Sequence, residues 1–583
     1  MKKGIDFPIV EDEQITIYSP LIRTLLTNRG LFTEEERDRF LRPDFDRDIY
    51  DPYLIFGMDR AVARIKKAIA TDEHILIYGD YDCDGIPGSV IMHDFFKKIG
   101  YKNFSNYIPH RHKEGYGLHK EAVEQFAKDG VTLLITVDLA ITNIEEVALA
   151  ESLGISVIVS DHHLPIVTPE GNELLPPATV VINSKQQGDT YPNPLLCGAA
   201  VAWKIVCALL ASDEKRFGVP IGWEKWLLDM AGLSTIADMV PLIGENRAIA
   251  HYGLMVLRKS RRPGLRHLLR EARANQNYLT EDDVGFTIGP RINAASRMDI
   301  PIEAFRLLAT TDEEEAKNLA AHLTQLNDDR KGMVGSIVKD AKERVTMREE
   351  KTVIVVGDPR WNPGVLGLIA GRLVETFSRP AFVWGRGEGE VLKGSCRSDG
   401  LVNVVDLMRA VSDGTFINVG GHEFSGGFSI HPDNIHTLEE ELSLAHTKIV
   451  KREFPHDDFF IDTTLTLDQV NLPLLREINK LAPFGVGNQQ PAFLFEHLSL
   501  ISAKHFGKEK NHLECQFLQN GKTVKAIGFF MGTHSFKGVI LEEGASIDLV
   551  GHIEENKFSR DGGVRLRIVT IAPPGTIRDS IAS

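Results

Sequence analysis

The chain has 583 residues, a formal net charge of −15, 43% hydrophobic residues and 25% charged residues. Single hydrophobic cores stop growing near about 250–300 residues, so this length predicts three or four domains. No apolar run is long enough for a membrane span, the N-terminus lacks the apolar core of a secretion signal, and the five cysteines form no CxxC pairs. We therefore exclude a membrane protein and a disulfide scaffold, and we expect a cytoplasmic chain.

The negative net charge by itself argues against nucleic-acid binding, because phosphate groups bind to positive surfaces. An enzyme that collects carboxylates around metal ions also becomes acidic, however, and a basic patch can exist on an acidic protein. Segment 258–273 (RKSRRPGLRHLLREAR) carries seven Lys or Arg residues and one acid. It is either a surface that contacts a nucleic-acid backbone or a solvated helical face.

The first half of the chain predicts a helical lead-in over 1–50, followed by an α/β domain over 51–250. In the lead-in, Thr33 and Glu36 form a capping-box pattern, and the helix should end before Pro43. Beyond about residue 72, amphipathic stretches alternate with short apolar runs, which lie at 74–79, 132–137, 155–160 and 178–183. Runs that are apolar on both faces are typical of a doubly wound parallel sheet between helix layers.

A helical connector is expected over 251–348. Within it, apolar residues at helical spacing predict one long helix over 303–344, with Thr311 and Glu314 as its start signal.

The remaining chain predicts two further domains. A second α/β domain is expected over 349–455, from strand signals at 353–357 and 380–384 and a helix at 364–377. Segment 456–575 alternates in the manner of antiparallel strands separated by turns, which predicts a small β-barrel.

Acids or histidines follow three of the predicted parallel strands. The carboxyl ends of parallel strands meet at one edge of the sheet, so we expect these side chains to converge there. In chain order they are Asp80, Asp82, Asp84, Asp138, Asp161, His162 and His163. Asp238, in the apolar stretch STIADMVPL, is a further candidate.

Carboxylates in such proximity would repel one another and raise their own pKa values, and divalent cations would remove the repulsion. Oxygen ligands mixed with imidazole suit Mn²⁺ best and Mg²⁺ next. Two ions about 4 Å apart, bridged by one aspartate, form a clamp suited to phosphodiester hydrolysis. A lone Asp84 could instead be a helix N-cap, and DxDxD also resembles part of a calcium loop. The combination of strand ends favours a two-metal site.

Four segments resemble, in order and spacing, the motifs of the DHH phosphoesterases; they are GDYDCDG, TVDLAI, SDHH and STIADMVPL. Later segments resemble, more narrowly, the RecJ family of bacterial single-strand-specific 5′→3′ exonucleases; they are IPHRHKEGYGL, GPRINAASRM, WNPGVLGLIAGRL, KGSCRS, GGHEFSGGF and LAPFGVGNQQP. The resemblance covers nearly the whole chain. It implies a DHH catalytic domain over 51–250, a DHHA1 domain over 349–455 and an OB-fold over 456–575.

The resemblance also implies roles for individual residues. The implied metal ligands are Asp80, Asp82, Asp84, Asp138, His162 and Asp238. The implied catalytic residues are His163, which contacts the scissile phosphate, with Asp82 and Asp138. The residues implied to bind substrate phosphate, chiefly at the 5′ end, are Arg111, Arg297, Ser395, Arg397, Gly420, Gly421 and His422. The glycines could alternatively serve a tight turn, and His422 could simply pack.

An OB-fold binds single strands through a basic groove and stacking aromatic rings. Phe493, Phe495, Phe506 and Phe529 are candidates for stacking or for the barrel core. Lys504, Lys508 and Lys510 are candidates for the groove.

The implied function is a Mn²⁺- or Mg²⁺-dependent exonuclease that degrades single-stranded DNA 5′→3′ to mononucleotides in DNA repair and recombination. We expect a monomer, with single-stranded DNA and a single-strand-binding protein or a helicase as partners. One alternative is a DHH phosphodiesterase acting on oligoribonucleotides or cyclic dinucleotides, and another is a weakly active RecJ-like scaffold. The chain departs from the family pattern at Leu139, Ala140 and Asn362.

Overall fold

The computed structural model describes residues 18–111, 113–168, 170–387, 391–449, 460–507, 510, 512–531, 539–556 and 563–577. They belong to two compact units: the first lies within Met1–Asp44, Pro241–Arg247 and Pro455–Ser583, and the second within Phe45–Val240 and Ala248–Phe454. Among the described residues, every helix is too short or too polar to traverse a bilayer. The described part of the chain opens with α1 (Pro20–Asn28) and α2 (Glu34–Leu41).

A five-stranded parallel sheet forms the centre of the second unit, with strand order β2-β1-β3-β4-β7. Its strands are β1 (Ile75–Gly79), β2 (Phe104–Tyr107), β3 (Leu133–Val137), β4 (Ser156–Ser160) and β7 (Val180–Ile182); β5 (Ile166–Val167) and β6 (Glu173–Leu174) form a separate ribbon. Strand β2 was not predicted from the sequence, since this edge strand is only half-buried and contains polar residues.

Helices cover both faces of this sheet, as the doubly wound pattern predicted. They are α3 (Phe45–Asp48), α4 (Met58–Ala70), α5 (Gly85–Lys98), α6 (Lys120–Lys128), α7 (Ile144–Ser152), α8 (Gly198–Ala211) and α9 (Leu228–Ala237). Ile75 and Ile77 of β1 join the core that includes α4, α5 and α8. Leu76 and Tyr78 join the opposite core, with α6 and α7. Alternate strand residues therefore fill two cores, which explains the continuous apolar runs.

The connector is helical throughout most of its length. Its helices are α10 (Gly244–Leu257), α11 (Pro263–Glu271), α12 (Glu281–Asp283), a π-helix (Val284–Ile288), α13 (Gly289–Met298), α14 (Ile302–Ala309) and α15 (Glu313–Thr346). The prediction of one helix over 303–344 is wrong, because residues 310–312 are not helical and separate α14 from α15. Asp312, rather than Thr311, caps α15, and its carboxylate accepts a hydrogen bond from Glu315 N at 2.7 Å.

A second sheet follows, with strand order β11-β12-β10-β9-β8. Its strands are β8 (Ile354–Gly357), β9 (Ala381–Arg386), β10 (Leu392–Arg397), β11 (Phe416–His422) and β12 (Ser425–Ile430). The helices in this part are α16 (Leu366–Phe377), α17 (Val404–Arg409) and α18 (Leu438–Lys448). Only β8 and β9 pair in parallel; the other neighbours are antiparallel.

The C-terminal part of the first unit is a closed barrel in which β14 pairs with both β15 and β17. Its elements are β13 (Thr463–Thr464), α19 (Leu472–Ile478), β14 (Phe493–Phe506), β15 (His512–Gln519), β16 (Lys522–Gly528), β17 (Ser546–Glu555) and β18 (Val564–Ala572). The prediction of a barrel is confirmed. The expectation of antiparallel pairing is wrong for β16 and β18, which pair in parallel.

The four phenylalanines predicted as stacking candidates differ in how deeply they are buried. Phe493 and Phe495 are fully buried and belong to the barrel core, so the stacking hypothesis is wrong for both. Phe506 is half-buried and Phe529 is exposed. Lys504 and Lys510 are also exposed, whereas Lys508 lies outside the described residues.

The lead-in helices share the barrel's core, which sequence analysis did not anticipate. Leu25 and Leu26 of α1 are fully buried in the cluster that contains Phe517. The capping box of Thr33 and Glu36 before α2 is confirmed.

The basic segment 258–273 is partly neutralised within its own unit. Arg262 forms ion pairs with Asp94 and Asp229 at 2.8 and 2.7 Å. Arg266 and His267 both pair with Glu313. Arg262, Arg266 and His267 are therefore engaged by protein carboxylates, whereas Lys259, Arg261, Arg270 and Arg273 are exposed. Both interpretations of the segment, a backbone-contacting surface and a solvated face, stay open for these exposed residues.

Candidate metal centre and phosphate pocket

The loop between β1 and α5 carries the first three aspartates. Asp82 Oδ1 accepts hydrogen bonds from Asp84 N at 2.8 Å and from Gly85 N at 3.2 Å, which fixes the loop's shape. Asp80 and Asp84 are buried, with 4% and 1% of their surface exposed. The loop thus holds carboxylates beyond the end of a buried strand, where parallel sheets bind ligands.

Asp84 is held by the first turn of α8. Its Oδ2 accepts from Gly198 N at 2.6 Å and its Oδ1 from Ala199 N at 2.8 Å. These N–H groups have no partner inside their own helix, and the helix dipole favours negative charge at this end. Asp84 occupies the N-cap position of α5 but makes no side-chain cap bond there. The N-cap hypothesis therefore does not account for its carboxylate.

Asp138 follows β3 in a left-handed conformation, with φ of 67°, and is 2% exposed. Its Oδ1 lies 3.1 Å from His162 Nε2. A Cβ atom at Gly198 would lie only 2.5 Å from Asp138 Cβ, so only glycine permits α8 to approach this closely. Ala140, two residues on, has φ of 88°. A left-handed conformation disfavours residues with a Cβ, so this departure from the family's glycine strains the loop.

Asp161 forms hydrogen bonds with both histidines that follow β4. Its Oδ1 accepts from His162 N at 2.7 Å and lies 2.8 Å from His163 Nδ1, while Oδ2 accepts from Ile141 N at 2.9 Å. Burial lowers the pKa of His163, but the hydrogen bond and charge of Asp161 outweigh it and raise that pKa to about 9. Burial and the charge of His163 lower the pKa of His162 to about 3. These shifts favour a protonated His163 and a neutral His162, which is the form of imidazole that binds a metal ion.

The six predicted metal ligands meet at one place. Two sets have ligand atoms within 4.8 Å of one another: Asp80, Asp82 and Asp138, and Asp84, His162 and Asp238. Asp238 reaches this place from the C-cap of α9. The contact between Asp138 Oδ1 and His162 Nε2 joins the two sets.

The electrostatics of this cluster fit divalent cations. Burial and the charge of Asp82 raise the pKa of Asp84 to about 6. Burial and the charge of Asp84 raise the pKa of Asp238 to about 8. The pKa values of Asp80 and Asp138 are also raised, first by burial and then by neighbouring carboxylates. Among the described residues, Asp80 Oδ1 and Asp138 Oδ1 are buried without a hydrogen-bond partner. Two cations would satisfy these oxygens and offset the repulsion.

The four residues predicted at the 5′-phosphate also converge. Arg111 lies over the Tyr81 ring, 4.8 Å from its centroid, and Arg297 donates to Gly364 O at 3.1 Å. Arg397 donates to Ser395 Oγ at 3.4 Å. Burial, then the charges of Arg111 and further arginines, lower the pKa of Arg297. Guanidinium groups gathered in this way are chemically suited to binding phosphate.

The β11–β12 hairpin brings the last predicted group beside the histidines. The His422 ring stacks on that of His163 at a centroid distance of 6.3 Å. Gly421 has φ of 138°, and a Cβ there would lie 2.4 Å from Ser425 O, so the strand pairing itself requires this glycine. Among the described residues, a Cβ at Gly420 would meet no atom within 4 Å, so there is free space beside this glycine.

Three residues around this centre were not predicted from the sequence. Tyr116 Oη lies 3.3 Å from His163 Nδ1, and its segment IPHRHKEGYGL could have indicated it. The charges of Lys185 and Arg330 act on Asp238 and Arg297, respectively. Neither lies in a motif that resembles a known one, so no sequence signal marked them.

Three family models match the chain: the DHH family N-terminal domain over residues 74–233, the DHHA1 domain over 349–445 and the RecJ OB domain over 461–570. The single-stranded-DNA-specific exonuclease RecJ of Bacillus subtilis is 36% identical over 556 residues, covering 94% of this chain and 67% of that protein. The chain belongs to the RecJ family. The predicted family and fold class are confirmed.

Solved RecJ structures are similar over nearly the whole chain. The crystal structure of RecJ from Thermus thermophilus in complex with Mn²⁺ has a TM-score of 0.77 and 27% identity, and covers 96% of this chain and 76% of that one. The corresponding Mg²⁺ complex has a TM-score of 0.71 and 25% identity, and covers 96% and 75%. Divalent metal binding by RecJ proteins agrees with the acidic and histidine groups of this chain.

Proposed function

We propose that this RecJ-family chain is a single-stranded-DNA-specific exonuclease that removes mononucleotides from the 5′ end. The observation that carries the proposal is the position of Asp138, whose Oδ1 contacts His162 and joins two sets of ligand atoms. Relatives named single-stranded-DNA-specific exonuclease RecJ align over most of the chain.

The proposed ligands of one ion are Asp80, Asp82 and Asp138, and those of the other are Asp84, His162 and Asp238, with Asp138 as the bridge. Mixed carboxylate and imidazole ligands suit Mn²⁺, with Mg²⁺ as the alternative. When bound, two such ions lower the pKa of a water nucleophile and offset charge on the phosphate.

His163 is proposed to contact the scissile phosphate directly. Asp161 accepts from its Nδ1 and keeps the imidazole protonated, so that Nε2 can donate to a phosphate oxygen. Tyr116 and His422 flank the ring and limit its movement. A fixed cation costs little reorganisation as negative charge develops during hydrolysis.

The arginine pocket is proposed to set the polarity of degradation. A terminal phosphate carries more negative charge than an internal diester, and Arg111, Arg297 and Arg397 offer planar donors for it. Anchoring the 5′ phosphate beside the metal centre would place the first diester at the reacting position. Single-stranded DNA is the proposed substrate and the chain is proposed to act as a monomer, with a helicase or single-strand-binding protein as the partner class.

The deciding experiment is a Mn²⁺-dependent digestion of single strands labelled at either end. We expect a 5′ label to be released at once as a mononucleotide, while a 3′ label shortens stepwise. Duplex DNA and a dinucleotide serve as comparison substrates, and Asp138→Asn serves as the inactive control. Release of the 3′ label first would overturn the polarity, and faster turnover of the dinucleotide than of long strands would favour a small-substrate phosphodiesterase.

A further inference from the structure

Arg330, on the exposed middle of α15, has an unusual environment for an arginine. It is half-buried, and within the described part of the chain its Nε is a buried donor without a hydrogen-bond partner. Its Nη2 donates a hydrogen bond to Asn327 Oδ1 at 2.9 Å. Among the described residues, no carboxylate forms an ion pair with Arg330. The neighbouring acids Asp328 and Asp329 bond instead to Lys331 and Gln325.

Helix α15 packs against α13 close to Arg297 and Arg330, since Met298 and Met333 both pack against the hydrophobic cluster that contains Ile337. The like charges that act on Arg297 are those of Arg111, Arg330 and Arg397. Helix α13, which carries Arg297, is joined to α15 by a hydrogen bond from Arg291 Nε to Thr324 Oγ1 at 3.3 Å. The connector helix therefore places a further guanidinium beside those predicted from the family motifs.

Such an arrangement is unfavourable without an anion. A guanidinium stays protonated in proteins, so the cluster cannot relieve repulsion by losing protons. Burial also removes water that would otherwise solvate these groups, and a buried donor without a partner destabilises the folded state. A ligand with two negative charges and several acceptor oxygens would offset the repulsion between the arginines and accept hydrogen bonds from their unpaired donors.

We propose that Arg330 is a further arginine of the terminal-phosphate pocket and gives it selectivity for a dianionic phosphomonoester over a hydroxyl end. The inference rests on the phosphate pocket of the proposed function. A phosphomonoester carries about −1.5 to −2 charges at neutral pH, whereas a diester carries a single charge. The charge of Arg330 therefore favours a phosphorylated terminus more than an internal position of the strand.

The competing explanation is structural: Arg330 could merely stabilise α15 through its bond to Asn327. The two explanations predict opposite changes in the melting temperature of the ligand-free protein when Arg330 is replaced. Removal of a repelled cation should raise the melting temperature, whereas removal of a structural bond should lower it.

The first test is thermal unfolding of the full chain in EDTA, with and without inorganic phosphate. We expect Arg330→Gln to raise the melting temperature without phosphate and to reduce the phosphate-induced increase by about half. Arg330→Lys should retain part of that increase, because it keeps the charge but loses the planar fork. Lys331→Gln is the matched control: this exposed cation on the same helix pairs with Asp328, so its loss should leave both the melting temperature and the phosphate response nearly unchanged.

The second test compares kcat/KM on 5′-phosphorylated and 5′-hydroxyl oligo(dT). We expect Arg330→Gln to lower the preference for the phosphorylated end about 10-fold, with little change on the hydroxyl end. A lowered melting temperature together with an unchanged phosphate response and end preference would overturn the inference.

The two tests also separate this inference from the proposed function. If wild-type protein lacks nuclease activity but its phosphate response depends on Arg330, the anion site stands and the proposed function fails. If the nuclease is active and Arg397→Ala loses the end preference while Arg330→Gln does not, only the role of Arg330 fails.

Discussion

The second unit contains two concentrations of like charge, one of carboxylates and one of arginines. The carboxylates lie at strand ends of a single sheet and at the C-cap of α9, within short motifs. The arginines come from four separate places in the chain: the segment after β2, α13, α15 and β10. Sheet topology alone gathers the acids, whereas the arginines meet only after helices and a second sheet have packed together. A site of the first kind is predictable from strand order, and one of the second kind is not.

The two clusters also differ in how they respond when their ligands are missing. Aspartates can take up protons, and the pKa values of Asp84 and Asp238 are raised to about 6 and about 8. Guanidinium groups stay charged, so repulsion between them is not relieved by a change of protonation. The acidic centre should therefore respond to both metal and pH, whereas the arginine pocket should respond to anions.

The largest expected effect is on the acidic cluster. Asp138→Ala should lower the rate of single-strand hydrolysis by about 10³-fold or more, because one side chain contributes to both ion sites. Rates on labelled single strands in Mn²⁺ would measure this. Asp299→Ala, which removes a partly exposed carboxylate paired with His322, should retain activity. Turnover close to wild type in Asp138→Ala would exclude the bridging role.

On the arginine side, Arg397→Ala should reduce the preference for 5′-phosphorylated over 5′-hydroxyl ends by about 10- to 100-fold, because a charge-assisted contact to phosphate is lost. Competition between the two substrates in one reaction measures the preference directly. Arg360→Ala is a suitable control in the same part of the chain, since Arg360 is exposed and pairs with Asp358. An unchanged preference would rule out the pocket.

The two clusters can be distinguished by pH in metal-free protein. Aspartates with raised pKa values bind protons more tightly when folded, so folding is favoured most below the ordinary aspartate pKa. This stabilisation is lost as pH rises through about 6 for Asp84 and about 8 for Asp238. The melting temperature in EDTA should therefore fall between pH about 5 and about 8. Mn²⁺ should restore it at the upper end, and Asp138→Asn should flatten the profile. A melting temperature that rises over this range would contradict the interpretation.

The smallest expected effect concerns the strained loop beside Asp138. Ala140→Gly should stabilise the protein by about 1 kcal/mol, since glycine adopts a φ of 88° without the penalty that a Cβ incurs. Denaturant titration in EDTA measures the change. Ala122→Gly, within helix α6, should destabilise by a similar amount and serves as the matched control. No gain in Ala140→Gly would mean that the loop holds this conformation without strain.

Specific residues show where sequence analysis succeeded and where it failed. Asp80, Asp138 and His162 were predicted to converge because buried apolar runs precede them and parallel strands share an edge. Strand β2 was missed because an edge strand with polar residues lacks such a run. Phe493 and Phe495 could not be assigned to the core or the surface, because aromatic residues occur in both settings along a barrel strand.

The position of Arg330 could not be predicted from the sequence. Its neighbours in sequence are acidic and exposed, which is typical of a solvated helix face. Only the packing of α15 against α13 places it near Arg297, and no local pattern encodes that contact.

The most direct measurement is anomalous diffraction at the manganese edge from crystals of the full chain soaked in Mn²⁺. We predict two peaks, one among Asp80, Asp82 and Asp138 and the other among Asp84, His162 and Asp238, with the Asp138 carboxylate in contact with both. Peaks located away from these residues, or a single ion that leaves Asp138 without a metal contact, would contradict the two-metal centre.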